Sequence, residues 1–152
     1  MGLNLEELKT RVKNVSLGHK LIKSFDFGEN FDVATNDRIS TYPKVFLELP
    51  YLINYENSRK FKTIRFAIMV FNKAKFDHNT ESHEVISTME TTAEAIISKL
   101  EVSFTDFKFD SVDLTSIRDF SDDNLAGVRV EVVVRTQRTF CNPPSYEDQF
   151  DC

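Results

Sequence analysis

Between Lys62 and Asn72 every second residue is apolar: Ile64, Phe66, Ile68 and Val70. Side chains of a β-strand alternate between its two faces, so this run predicts a strand with one continuous hydrophobic face that must cover a core. Its other face, Thr63, Arg65, Ala67, Met69 and Phe71, is mixed and partly apolar. A second face of that kind is expected to meet another subunit or to be covered by a loop, and Arg65, Met69 and Phe71 are the candidates for a subunit or partner interface. A shorter run, Lys44 to Leu49, sets Val45, Leu47 and Leu49 against Lys44 and Glu48. Pro43 precedes it, and Pro50 is expected to stop it, because proline gives no N–H to a ladder. With a polar turn at Asn54–Ser58 between them, the two strands are expected to pair antiparallel.

Helical spacing appears twice. Leu5, Leu8, Val12 and Val15 recur at three and four, with Asn4 as N-cap and Gly18 where a helix commonly ends. Val85, Met89, Ala93, Ile96 and Leu100 mark a longer helix, capped by Thr80 or Ser82. Such a stripe is core. From His19 to Thr41 the pattern loosens among turn formers and is read as irregular or short-strand structure. Toward the end, Ser111–Ile117 reads as a short strand with Val112 and Leu114 inward, and Gly127 opens a strand carrying Val128, Val130, Val132 and Val134. The order helix, strand, strand, helix, strand, strand predicts an α+β domain over residues 1–138. About four antiparallel strands would carry two helices on one face. Residues 139–152, with adjacent Pro143 and Pro144 and an acidic, aromatic remainder, read as an extended arm. Phe140, Tyr146 and Phe150 are its expected anchors on a neighbour.

Chemistry is harder to find. With a net charge of −5 and Lys and Arg scattered, no basic stripe offers itself to phosphates, so sequence-specific nucleic-acid binding is not expected. No run approaches the roughly 20 apolar residues of a spanning helix, so no membrane partner is expected. The first residues read as an amphipathic helix start, with neither a secretory nor a myristoylation signal. Cys141 and Cys152 fit no zinc spacing and are expected as free thiols in a cytoplasm. Asp119, Asp122 and Asp123 lack the alternation of a calcium loop and read as a turn. No catalytic residue, metal or cofactor is assigned, and an enzyme is not expected. The competing reading is a small ligand-binding module or enzyme with a polar site at His78, Glu81 and His83.

One block points further. His19-Lys-Leu-Ile-Lys-Ser-Phe-Asp-Phe-Gly-Glu29 is followed by Tyr42-Pro43, then Glu84-Val-Ile-Ser87, then Asp123-Asn124 and Gly127. This series resembles a family of small virion proteins at the neck or tail-completion position of tailed bacteriophages, including ring proteins of crAss-like phages. The chain departs from that pattern at Lys23 and Val128. The resemblance implies a tail-terminator-like fold and structural roles for His19, Ser24, Phe25, Gly28, Glu29, Tyr42, Pro43 and Gly127. It also implies a homo-oligomeric ring, hexamer or dodecamer, in the virion. Such a ring is made in the host bacterial cytoplasm and caps the tail or joins it to portal and connector proteins, with DNA passing through its channel.

Overall fold

The computed structural model describes residues 4–29, 41–56, 60–74, 79–118 and 125–137, without the side chains of 49–51 and 79–82. The order is α1 (Leu5–Gly18), β1 (Ser24–Glu29), β2 (Lys44–Tyr55), β3 (Phe61–Lys73), α2 (Asn79–Ser103), β4 (Phe107–Arg118) and β5 (Leu125–Gln137). The strands form one sheet in the order β1-β2-β3-β5-β4. Every neighbouring pair is antiparallel except β1 and β2, which run parallel.

The α+β class and the helix-on-sheet arrangement agree with the sequence, whereas the strand count does not. The described sheet has five strands, not four. The extra strand is β1, drawn from the segment read as irregular. Its short alternation, Phe25 and Phe27 against Asp26, is interrupted by Gly28, whose φ of 153° suits glycine. What makes it a strand is its partner: Ser24 to Glu29 lie in register with Lys44 to Leu49. Pro50 does not end β2. The ladder to β3 shifts register between Glu48 and Leu52, and the strand continues to Tyr55 past that irregularity. A bulge lets proline stay within a strand because it removes the need for an N–H at that step.

The main core lies between the sheet and the helices. Val45, Leu47, Ile64, Phe66, Ile68, Val70, Val128, Val130, Val132 and Val134 face Leu8, Val12, Met89, Ala93, Ile96 and Leu100, all buried. Helix α1 starts where Asn4 accepts the Glu7 N–H at 2.8 Å, satisfying one of the orphan donors of its first turn. Leu5, expected on the apolar face, is instead exposed. Helix α2 begins at Asn79, so Thr80 and Ser82 lie within it and do not cap it. Its buried Thr92 stays satisfied because the hydroxyl donates to the Thr88 carbonyl at 2.8 Å. Strand β4 bulges between Phe109 and Ser111. There Val112 is half-buried against the core, while Leu114, expected inward, is exposed.

Gly127 does not open the last strand but sits two residues inside it. A Cβ there would lie 2.0 Å from the Val70 carbonyl oxygen and 2.7 Å from the Phe71 Cα. The two central strands approach too closely at that point for any side chain.

Candidate interaction surface

The sheet face away from the helices carries a second core. Phe46, Met69, Phe71 and Leu125 are buried together, with Tyr42 and Ile117 packed against them. The Tyr42 ring meets Phe71 at 5.9 Å. This corrects the expected interface: Met69 and Phe71 are 3% and 1% exposed in the single chain, whereas Arg65 is open. Alternation could place the two side chains on that face but could not tell a covered face from an open one. Phe140, Tyr146 and Phe150, like Cys141, Cys152, His78 and Asp119–Asn124, lie outside the described residues.

Beside this second core the same face becomes charged. Glu48 on β2 accepts from Arg129 on β5 through Nε and Nη2, at 3.0 and 2.8 Å. Arg129 also lies 3.7 Å from Glu131, and Arg65 lies 3.8 Å from the same carboxylate. The hydrogen bonds that Arg129 donates to Glu48 hold its guanidinium above its ordinary range. Glu48 is only 8% exposed, and its Oε1 has no hydrogen-bond partner. Further along, Arg135 grips Glu56 at 2.6 and 3.0 Å and covers the Phe61 ring at 3.9 Å. That bond draws the Glu56 carboxyl below its usual range. The exposed pairs Arg65–Glu131 and Arg135–Glu56 contribute little stability. Their effect here is a surface of alternating charge set beside exposed apolar groups.

Those apolar groups are on the outer part of β2. Strand β1 ends opposite Leu49, but β2 continues along β3 to Tyr55. Leu52, Ile53 and Tyr55, beyond the end of β1, are exposed, Leu52 to 58%. At the opposite side of the sheet β4 is outermost, but it bears Lys108, Asp110, Asp113 and Arg118 and a bulge. Charges and bulges discourage strand addition and guard β4. Strand β2 has a bulge and Pro50 of its own, but beyond them its described side chains are uncharged and exposed. A hollow of about 270 Å³, lined by Glu48, Leu52, Arg65, Ala67, Arg129 and Glu131, joins the charged ladder to the β2 end.

The residues of the His19–Glu29 block and Tyr42-Pro43 are brought together. His19 closes α1, and its Nδ1 accepts the Leu21 N–H at 3.2 Å. The Lys23 N–H donates to the Pro43 carbonyl at 2.8 Å, and the Ser24 hydroxyl donates to the Thr41 carbonyl. Thr41 in turn donates to the Lys23 carbonyl at 3.4 Å. Tyr42-Pro43 is a cis peptide. Phe25 packs half-buried on the main core, while Glu29, at the end of β1, is exposed. Gly127 lies apart from this group, against Val70 and Phe71.

The other candidate region is less assembled. His83 lies with Ile86, Ser87, Glu90, Ser116 and Arg118 around a hollow of about 390 Å³ between α2 and β4. Among the described residues no group of three or more His, Cys, Asp or Glu side chains could hold a metal ion. No described helix is long and apolar enough to cross a membrane.

One constellation had no counterpart in the sequence reading. Arg11 on α1 donates to both carboxylate oxygens of Asp106, each at 2.7 Å, and lies over the Phe104 ring at 4.3 Å. Phe104, Phe107 and Phe109 stack in series, at 6.0 and 5.5 Å. The hydrogen bonds from Arg11 hold the Asp106 carboxyl below its usual range. The pair is 95 residues apart in the chain, so no local pattern could have announced it. No known protein family matches the chain, and a search of characterised proteins finds none that does.

Proposed function

We propose that this chain is a structural subunit of a homo-oligomeric ring at the neck or tail of a bacteriophage particle. It would act as tail terminator or head–tail connector around the DNA channel. The observation that carries the reading is the block from His19 to Glu29. His19, Ser24 and Pro43, which bear the phage resemblance, take part in the hydrogen bonds that tie α1, β1 and the entry to β2 into one unit, together with Lys23 and Thr41, which lie outside the pattern. A family pattern that coincides with a structural joint is what a scaffold protein needs, whereas a catalyst needs its pattern around a reacting group.

The surface supports the same reading. A ring requires two different patches on each subunit that repeat around an axis. The apolar end of β2, with the Arg65–Glu131–Arg129–Glu48 ladder beside it, serves as one of them. Leu52, paired with Arg65 on the ladder's face, supplies area, and Ile53 adds an apolar side chain on the other face of the same strand end. The alternating charges fix register more than affinity. The net charge of −5 disfavours a phosphate-gripping wall, in keeping with DNA that passes without being read. Portal, connector or tail proteins would be the neighbours above and below.

Quantitative mass spectrometry of purified particles tests the proposal. The chain is expected at a fixed copy number per particle, six or twelve relative to the portal ring. Absence from particles, or a copy number that varies between preparations, refutes it.

A further inference from the structure

An apolar groove of about 430 Å³ runs between the two helices. Val15, Ile96 and Phe104 supply its apolar lining, referred to below as its floor, and Asn14, His19 and Lys99 line it as well. The groove differs from the other two hollows, whose linings are mainly charged and polar. It lies on the helix layer, away from the charged sheet face.

The position of the chain's exit says what could fill it. Strand β5 ends at Gln137. Immediately before that, Thr136 pairs with Phe107 across the sheet, and its hydroxyl donates to the Asp106 carbonyl at 2.8 Å. Phe107 stacks on Phe104, which forms one end of the groove. The polypeptide therefore leaves the sheet beside the mouth of its own groove. Residues 139–152 then contain Phe140, Tyr146 and Phe150, three carboxylates (Glu147, Asp148 and Asp151) and no Lys or Arg. Extended, they reach about 45 Å, far more than the groove's length along α2 from Ala95 to Phe104, which is about 14 Å at the helical rise. Aromatic rings suit the Val15–Ile96–Phe104 floor, and acidic groups suit Lys99.

We propose that this groove is the seat of the chain's own C-terminal arm, with Tyr146 and Phe150 against the floor and the Glu147–Asp148 pair facing Lys99. The tether selects the chain's own arm over that of a neighbour. A segment anchored a few residues from its site is present there at a millimolar effective concentration, above what separate chains reach in dilute solution. The arm is then a strap across α1 and α2, independent of whether the protein forms a ring. It adds to the contact that Arg11 on α1 already makes with Asp106 and Phe104, just after the end of α2.

The test uses the full chain. Equal amounts of unlabelled and nitrogen-15-labelled protein are mixed and treated with a carbodiimide, which joins an amine to a carboxylate in direct contact. The products are then digested and read by mass spectrometry. The expected products join Lys99 to Glu147, Asp148 or Asp151 within chains of one isotope. Their yield should fall at least about tenfold when Tyr146→Ser and Phe150→Ser are combined, since the rings supply the contact area. Isotopically mixed products would place a second copy's arm in the groove and overturn the assignment. So would products confined to other lysines, no product at all, or a yield that the double substitution leaves unchanged.

Discussion

Replacing Gly127 by alanine is the sharpest probe of how β3 and β5 meet. The new Cβ would stand 2.0 Å from the Val70 carbonyl oxygen and 2.9 Å from the Phe71 Cβ, where ordinary contacts begin at 3.4 Å. The nearer neighbour is backbone, so no side-chain rotation relieves the clash, and the strands must part by more than 1 Å. A hydrogen bond lengthened that far is no longer one. The ladder here runs through Val70↔Val128, Phe71↔Gly127 and Asn72↔Ala126 in the middle of the sheet. Losing one or two of its bonds among buried groups, together with overpacking, costs about 3–5 kcal/mol. That is a large share of the roughly 5–15 kcal/mol that holds a domain folded. The assay is urea unfolding followed by far-ultraviolet circular dichroism, because the chain has no Trp to report by fluorescence. Gly18→Ala is the internal control. Its Cβ would meet nothing within 4 Å at the end of α1, and alanine there should be neutral or stabilising by up to about 1 kcal/mol. A Gly127→Ala loss below about 1 kcal/mol, or equal effects at the two glycines, refutes the close-approach account.

Three further outcomes are expected. Ser16 is buried with a hydroxyl that has no partner, so Ser16→Ala should raise stability by about 1 kcal/mol in the same urea assay. Arg129→Met, which strands the buried Glu48 carboxylate, should cost about 2–4 kcal/mol. Adding Glu48→Met to it should recover most of that loss, measured as a double-mutant cycle. Because the Asp106 carboxyl is held low by Arg11, its contribution is full above the ordinary aspartate value of about 3.9 and is lost as pH falls through the folded-state value. Thermal melts between pH 6 and 2 should therefore fall less steeply for Asp106→Asn than for the parent chain.

What could be read from the sequence was what local patterning governs. The alternation in Lys62–Asn72 and the Met89–Leu100 stripe each announce one buried face, and those faces are buried. Asn4 and Gly18 mark the ends of α1 because capping is a property of a few adjacent residues. Pairing between distant segments was not legible. Phe25 and Phe27 alone do not distinguish a pinned loop from a strand, and only the register with Val45 and Leu47 makes the difference. Pro50 looked like a stop because its missing N–H was weighed without the register shift beside it. The outer face was misjudged for a similar reason. Met69 and Phe71 alternate correctly, but their burial with Phe46 and Leu125 is a tertiary fact. The β2 end at Leu52 and Ile53, which now carries the interface reading, was hidden by the assumption that the strand had already ended.

Sedimentation velocity of the purified chain over a hundredfold concentration range, beside a Leu52→Asp, Ile53→Asp variant, addresses self-assembly directly. A ring subunit gives one discrete species of six or twelve copies that the paired substitutions reduce to a folded monomer. A parent chain that sediments as a monomer throughout the range, or an oligomer indifferent to both charges on β2, contradicts the assignment.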